Sequence, residues 1–142
     1  MELSNLMGPV EIQFVIGLGL SLILGYLVGA EREMRRKDAG ISTHIMVIAG
    51  SMLFTLLSNV VDPLSTSRIA SQIVVGIGFL GAGLILREGT SVKNLTTAAS
   101  VWFAAAIGMA LGFGFYIVAI LAALVIALVP RIPSLHEEKH EE

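Results

Sequence analysis

The sequence predicts an all-α fold, a polytopic transmembrane helix bundle of about five spans with the N-terminus outside and the C-terminus inside. Three observations carry this expectation. The 142-residue chain is 55% hydrophobic and only 14% charged, where a soluble domain carries about 25% charged residues. Its mean hydropathy is +0.85. The charges gather between long uncharged stretches, at 12–30, 41–61, 69–86 and 94–130. Such a composition excludes a disordered chain. The length excludes a large multidomain enzyme, and zero cysteines exclude a disulfide scaffold, a thiolate metal site and a Cys nucleophile. A net charge of −2 gives no electrostatic case for nucleic acid as a partner. The partner it does imply is the lipid bilayer.

A spanning helix needs roughly 20 mostly apolar residues to cross a hydrocarbon core about 30 Å thick. The first three uncharged stretches fit one helix each. The fourth, 94–130, is too long for one crossing and right for two, with Gly112-Phe113-Gly114 as the break, because paired glycines accept helix-ending geometry. The expected helices are therefore about 10–30, 41–60, 68–87, 96–112 and 114–130, within a transmembrane domain over 1–132. A short charged cytoplasmic tail, 133–142, follows it.

Orientation follows from Lys and Arg. Alternating spans put Arg32, Arg35, Arg36, Lys37, Arg87, Lys93, Arg131 and Lys139 on one side, leaving only Arg68 on the other. No Lys or Arg precedes Arg32, so a signal peptide with a positive leading segment is not expected. The tail string His136-Glu137-Glu138-Lys139-His140 spells a zinc-protease motif. It follows Pro133 at a terminus without a third ligand, and is read as a solvated tail.

Small residues recur at helical spacing. Gly17, Ser21, Gly25 and Gly29 form a ridge on helix 1, Ala104, Gly108 and Gly112 on helix 4, and Ala119, Ala123 and Ala127 on helix 5. Helix 3 carries Gly76, Gly78, Gly81 and Gly83. The string Gly76-Ile-Gly78-Phe-Leu-Gly81 has the spelling of a dinucleotide loop, but no strand-helix-strand unit surrounds it. In lipid, small residues let helix backbones approach closely. These ridges serve packing within the chain, an oligomer contact, or both. The expected assembly is a homodimer, the commonest symmetric form, with the helix 1 ridge as the first choice of seam.

Two polar clusters stand out. On the cytoplasmic side, Glu31, Arg32 and Glu33 end helix 1 and Ser42, Thr43 and His44 open helix 2, while Arg87-Glu88 ends helix 3 and Thr96 and Thr97 open helix 4. The two hairpins share this pattern at offsets of 55 and 54 residues, which suggests a parallel repeat about an axis along the membrane normal. Ser42, Thr43, Thr96 and Thr97 are expected to cap helix N-termini, and Glu31, Glu33 and Glu88 to answer their positive poles. His44, one turn into helix 2, lies near enough to join Glu31, as a structural donor or as a pH-sensitive element. On the outer side stand Glu11, Asp62, Arg68 and Gln72. Arg68 and Gln72 share a helix face, and Asp62 with Arg68 either locks two helix ends together or belongs to an ion site.

These residues resemble the MgtC/SapB membrane proteins over about 12–130. The resemblance rests on Ala39-Gly40-Ile41-Ser42-Thr43-His44, Asp62-Pro63, Arg68-Ile-Ala-Ser-Gln72, Gly76-Ile-Gly-Phe-Leu-Gly-Ala-Gly83, and Leu95-Thr-Thr-Ala-Ala99 with Trp102. It implies a prokaryotic plasma-membrane protein tied to magnesium limitation and, in pathogens, to survival inside host cells. In some members it implies a regulator of the membrane ATP synthase rather than a pump. Ser42 stands where members often have arginine, and Thr96 where some have asparagine. Many members add a soluble cytoplasmic domain after the last helix; only the short tail is expected here, so roles that need that domain are not carried over.

Three readings of function follow. The chain is a non-enzymatic regulator that touches another membrane complex through its helices, an ion-conducting or ion-sensing protein, or a structural membrane module. Mg²⁺ prefers oxygen ligands in near-octahedral order, and no acid cluster lies mid-span. No nucleophile–base pair or cofactor loop is legible, so neither an enzyme nor a cofactor is expected. A reporter active only outside the cytoplasm, fused at the C-terminus, is expected to stay silent; strong activity there reverses the orientation.

Overall fold

The computed structural model describes residues 8–129 and 132. Five helices follow one another: α1 (Pro9–Met34), α2 (Ile41–Val61), α3 (Ser67–Leu84), α4 (Leu95–Gly112) and α5 (Tyr116–Leu128). The first four are long and apolar enough to cross a membrane. The described part of α5 has 13 residues, about 20 Å at helical rise and short of a full hydrocarbon core. The tail, with its His136–His140 string and Arg131, lies outside the described residues.

Two helix ends share one device. At the end of α4, the Gly114 amide donates to the Leu111 carbonyl and the Phe115 amide to the Ala110 carbonyl, with Gly114 at φ +81°. This is a Schellman stop, with glycine in the left-handed position that a Cβ disfavours. The break expected at Gly112-Phe113-Gly114 is therefore present. At the end of α1 the same pair of bonds runs from Arg36 to Glu33 and from Lys37 to Arg32. There Arg36 occupies the left-handed position at φ 54°. Because that stop lacks glycine, the sequence gives no sign of it, and α1 extends one turn past the expected end at residue 30. Glu31, Arg32 and Glu33 are thus helical and not part of a loop.

A second correction concerns residues 86–93. Helix 3 was expected to reach Arg87, but α3 stops at Leu84 and the chain forms a small antiparallel hairpin, β1 (Leu86–Glu88) with β2 (Ser91–Lys93). Gly89, at φ +61°, supplies the tight turn. Lys93 Nζ lies 2.6 Å from Glu88 Oε2 across it. The two connections of the suggested repeat therefore differ in shape, one a helix stop and the other a β-hairpin.

The core is built around α2. Along one side run Gly17, Gly25 and Gly29 of α1: a Cβ on Gly25 would stand 2.6 Å from the Ile45 Cα, and one on Gly29 2.7 Å from the Ile41 amide nitrogen. Along the other side run Gly108 and Gly112 of α4, where a Cβ would meet the Ser51 Cβ at 2.7 Å and the Met52 carbonyl at 2.6 Å. Both ridges therefore pack inside one chain. The helix 1 ridge, expected as the dimer seam, is occupied by α2 and is not free to meet another copy. Around these contacts pack Val28, Ile48, Met52, Ile107 and Leu111, all nearly inaccessible.

Helix α3 differs. Only 17% of its most apolar window is buried, against 56% for α4. A Cβ on Gly76, Gly78 or Gly83 would meet nothing within 4 Å, and one on Gly81 makes only ordinary contact with Ala98. Gly108→Ala is expected to lower stability by roughly 1–3 kcal/mol, as overpacking of a tight contact does. Gly78→Ala is expected to be neutral or to stabilise by about 0.5–1 kcal/mol. Thermal unfolding in detergent compares the two.

Candidate functional site

The charged residues gather at the two ends of the bundle. At the end where α1 turns into α2, Arg32 is fully buried although it carries a full charge. Its Nη2 donates to the Thr97 hydroxyl at 3.2 Å, which ties α1 to α4. Glu31, also buried, is ion-paired with Arg35 one turn on. Buried charges need such partners, because desolvation is costly.

The opening of α2 is held by residues other than those expected. Gly40 is its N-cap and donates no side-chain bond. The Glu33 carboxylate instead accepts from the Ile41 amide at 2.9 Å, placing a negative charge at the positive helix pole. A Cβ on Gly40 would run into the Glu33 side chain and displace it from this bond. Ser42 and Thr43 make no capping bond. Nor do Thr96 and Thr97 on α4, whose N-cap is Asn94 in the left-handed region. Asn94 turns its amide outward, and Nδ2 donates to Asp38 Oδ2 at 2.6 Å, so the turn before α2 is joined to the start of α4. Of the expected capping residues only Thr97 is used, as acceptor for Arg32; Thr96 is exposed.

His44 is fully buried. Its Nδ1 lies 2.8 Å from the Gly40 carbonyl, and since a carbonyl only accepts, Nδ1 carries the hydrogen. No hydrogen bond joins His44 to Glu31 among the described residues. The structure therefore brings Glu31, Arg32, His44 and Thr97 to one end, with Arg32 Nε, Arg32 Nη1, His44 Nε2 and, apart from the ion pair to Arg35, both Glu31 carboxylate oxygens buried and without hydrogen-bond partners. Donors of Arg32 and acceptors of Glu31 and His44 stand together here, so the cluster is mixed in charge and suits a small polar group such as water. No grouping of three His, Asp or Glu side chains that could hold a metal ion exists among the described residues. Glu88 stands apart, paired with Lys93 on the hairpin.

At the opposite end, the expected pair is present: Arg68 Nη2 lies 3.0 Å from Asp62 Oδ2. Arg68 is 69% exposed, so this contact is worth little beyond orientation. Neither Gln72 nor Glu11 joins it by a hydrogen bond or ion pair. The firmer fastening comes from residues that a search for charges passes over. Ser58 donates to the Thr66 carbonyl at 2.6 Å and accepts from the Ala70 amide at 3.3 Å, pinning α2 to α3. The Gly112 carbonyl, released by the Schellman stop, accepts from Gln13 Nε2 at 3.0 Å and Asn59 Nδ2 at 3.4 Å. One oxygen thus joins α1, α2 and α4. The signal available in the sequence was a lone carboxamide at the end of each of two apolar spans.

Comparison with known proteins places this arrangement. The profile described as "MgtC: MgtC family" matches residues 18–137. "Protein MgtC" of Salmonella typhimurium (strain LT2) is 44% identical over 126 residues, covering 89% of this chain and 53% of that protein. The "Putative magnesium transporter YhiD" of Escherichia coli K12 is 43% identical, covering 84% of this chain and 60% of the relative. "Uncharacterized protein slr0014" of Synechocystis is 40% identical, covering 79% and 48%. The chain thus spans about half the length of the curated relatives it matches. No solved structure matches.

Thr97→Val is expected to destabilise the protein by about 1–3 kcal/mol, because it strips the buried Arg32 of its hydroxyl partner. Thr96→Val, one position away and exposed, is expected to change stability by no more than about 0.5 kcal/mol. Unfolding of both variants in detergent checks this; equal losses exclude Arg32–Thr97 as the tie.

Proposed function

The chain belongs to the MgtC family, and on that premise we propose that it is a non-enzymatic protein of the prokaryotic plasma membrane that serves magnesium homeostasis and adaptation to low Mg²⁺. In this reading it acts by helix contacts on another membrane complex, for which the resemblance implies the ATP synthase. The magnesium link draws on the names of the relatives, one called a putative magnesium transporter. The multi-pass membrane character itself stands on four long apolar helices.

One observation favours a contact role over conduction through a single chain. Between the two charged ends the interior is packed mainly by apolar side chains, with Val28, Ile48, Met52, Ile107 and Leu111 each 1% exposed or less and only the hydroxyls of Ser21, Ser51 and Thr55 buried among them. An ion path needs a continuous line of polar or charged groups along its length, and the buried polar groups of this layer, those three hydroxyls, carry no charge. The alternative, ion conduction or ion sensing, draws on the buried Glu31, Arg32 and His44 group.

Purified protein reconstituted into liposomes that enclose a Mg²⁺-sensitive dye separates the readings. Dye response equal to that of empty vesicles is expected. Mg²⁺ entry above that background, abolished by Arg32→Met, overturns the contact reading in favour of conduction.

A further inference from the structure

Helices α2 and α3 diverge to leave an apolar groove of about 520 Å³ between them. Met46, Gly50, Ser51 and Phe54 line it from α2, and Gln72 and Gly76 from α3. Gly50 and Gly76 leave both walls bare, since a Cβ on either would meet nothing within 4 Å. Two polar groups sit in this apolar setting. Ser51 is 5% exposed, and neither its hydroxyl nor the Gln72 amide makes a hydrogen bond to the described residues.

We propose that this groove and the adjoining face of α3 are the seam of a homodimer, occupied by α3 of a second copy. Residues 72, 76, 79 and 83 follow the alternating four- and three-residue spacing that keeps one stripe of a helix facing a parallel partner. The stripe reads Gln72, Gly76, Phe79, Gly83. Phe79 is 80% exposed and is flanked by glycines on each side. A twofold axis along the membrane normal sets the two Phe79 rings at the same depth, where they pack on one another, and the bare backbones at Gly76 and Gly83 let the helices close in above and below them. Helices in lipid associate by such close packing and by hydrogen bonds between polar side chains.

The amide decides between occupants. A lipid acyl chain offers Gln72 no partner. A second copy does, because a carboxamide carries both donors and an acceptor. A twofold axis along the membrane normal also puts Gln72 of both copies at the same depth. The Ser51 hydroxyl, at the floor of the groove, is within the surface that the second helix covers. Arg68, four residues before Gln72 on the same face, is already neutralised by Asp62 at 3.0 Å, so two copies approach without unpaired like charges. The other small-residue ridges do not take this role: those of α1 and α4 are filled by α2, and Ala119 and Ala123 of the α5 ridge are buried. The inference does not depend on the regulatory reading above.

Single cysteines in this cysteine-free chain test the seam in native membranes by oxidative cross-linking. Gly76→Cys and Gly83→Cys are expected to give dimers, while Leu27→Cys on α1 and Leu124→Cys on α5, both exposed, are expected not to. In the Gly83→Cys background, adding Gln72→Leu is expected to weaken the dimer about tenfold, the effect of losing a pair of interhelical hydrogen bonds. Adding Gly76→Leu, at a position where a Cβ meets nothing within 4 Å, is expected to abolish cross-linking without lowering the unfolding temperature in detergent. Cross-links from α1 or α5 instead of α3, α3 adducts with a different polypeptide only, or monomer throughout each overturn the proposal. So does a dimer that neither Gln72→Leu nor Gly76→Leu weakens.

Discussion

The bundle depends on the close approach of α2 to the backbones of its two neighbours. Gly25 and Gly29 on one side and Gly108 and Gly112 on the other leave no room for a Cβ. In lipid the hydrophobic effect does not drive helices together, so contact area and backbone proximity must hold the fold. Large side chains then fill the layer these contacts define, with Ile48 and Met52 of α2 facing Ile107 and Leu111 of α4 inside the core. Removing the glycines would separate the helices and undo that layer.

The ends of the bundle are fastened by a different physics. Each helix terminus leaves backbone groups that the helix itself cannot satisfy, and both ends here recruit side chains from distant parts of the chain. At one end the Glu33 carboxylate reaches the Ile41 amide and Arg32 reaches Thr97. At the other, the carbonyl freed by the stop at Gly114 gathers Gln13 and Asn59. Charged residues are thus confined to the two ends, and the middle is mainly apolar, with the uncharged hydroxyls of Ser21, Ser51 and Thr55 buried in it. That separation connects the fold to function, since it favours action through surfaces over passage through the interior of one chain.

Helix α3 stands outside this economy. It is tied to α2 by Ser58 and carries glycines that face open space, whereas every glycine of the α1 ridge meets α2. The same residue type therefore has two meanings in one protein: internal close packing in α1 and α4, and an unopposed surface in α3. The match to the MgtC family covers the bundle from residue 18 onward, and the curated relatives extend well beyond the aligned part.

Much of this was legible before any coordinates. Uncharged stretches marked the helices, because a charge in hydrocarbon is costly whatever surrounds it, and the paired glycines at 112 and 114 marked a stop, because left-handed backbone favours glycine. Opposite charges at Asp62 and Arg68, six residues apart across a proline turn, had little choice but to meet. The stop at Arg36 was hidden because it uses the same bonds without glycine, and the hairpin at 86–93 because three-residue strands lack a periodic signal. The capping expectation failed at Thr96 and Thr97 because spacing alone cannot say which way a hydroxyl turns. By itself the sequence determined where helices lie and which residues are small or polar, since these follow from local chemistry. Which glycine ridge is filled, and which polar atoms meet, was decided only by the tertiary structure, because both depend on contacts between residues tens of positions apart.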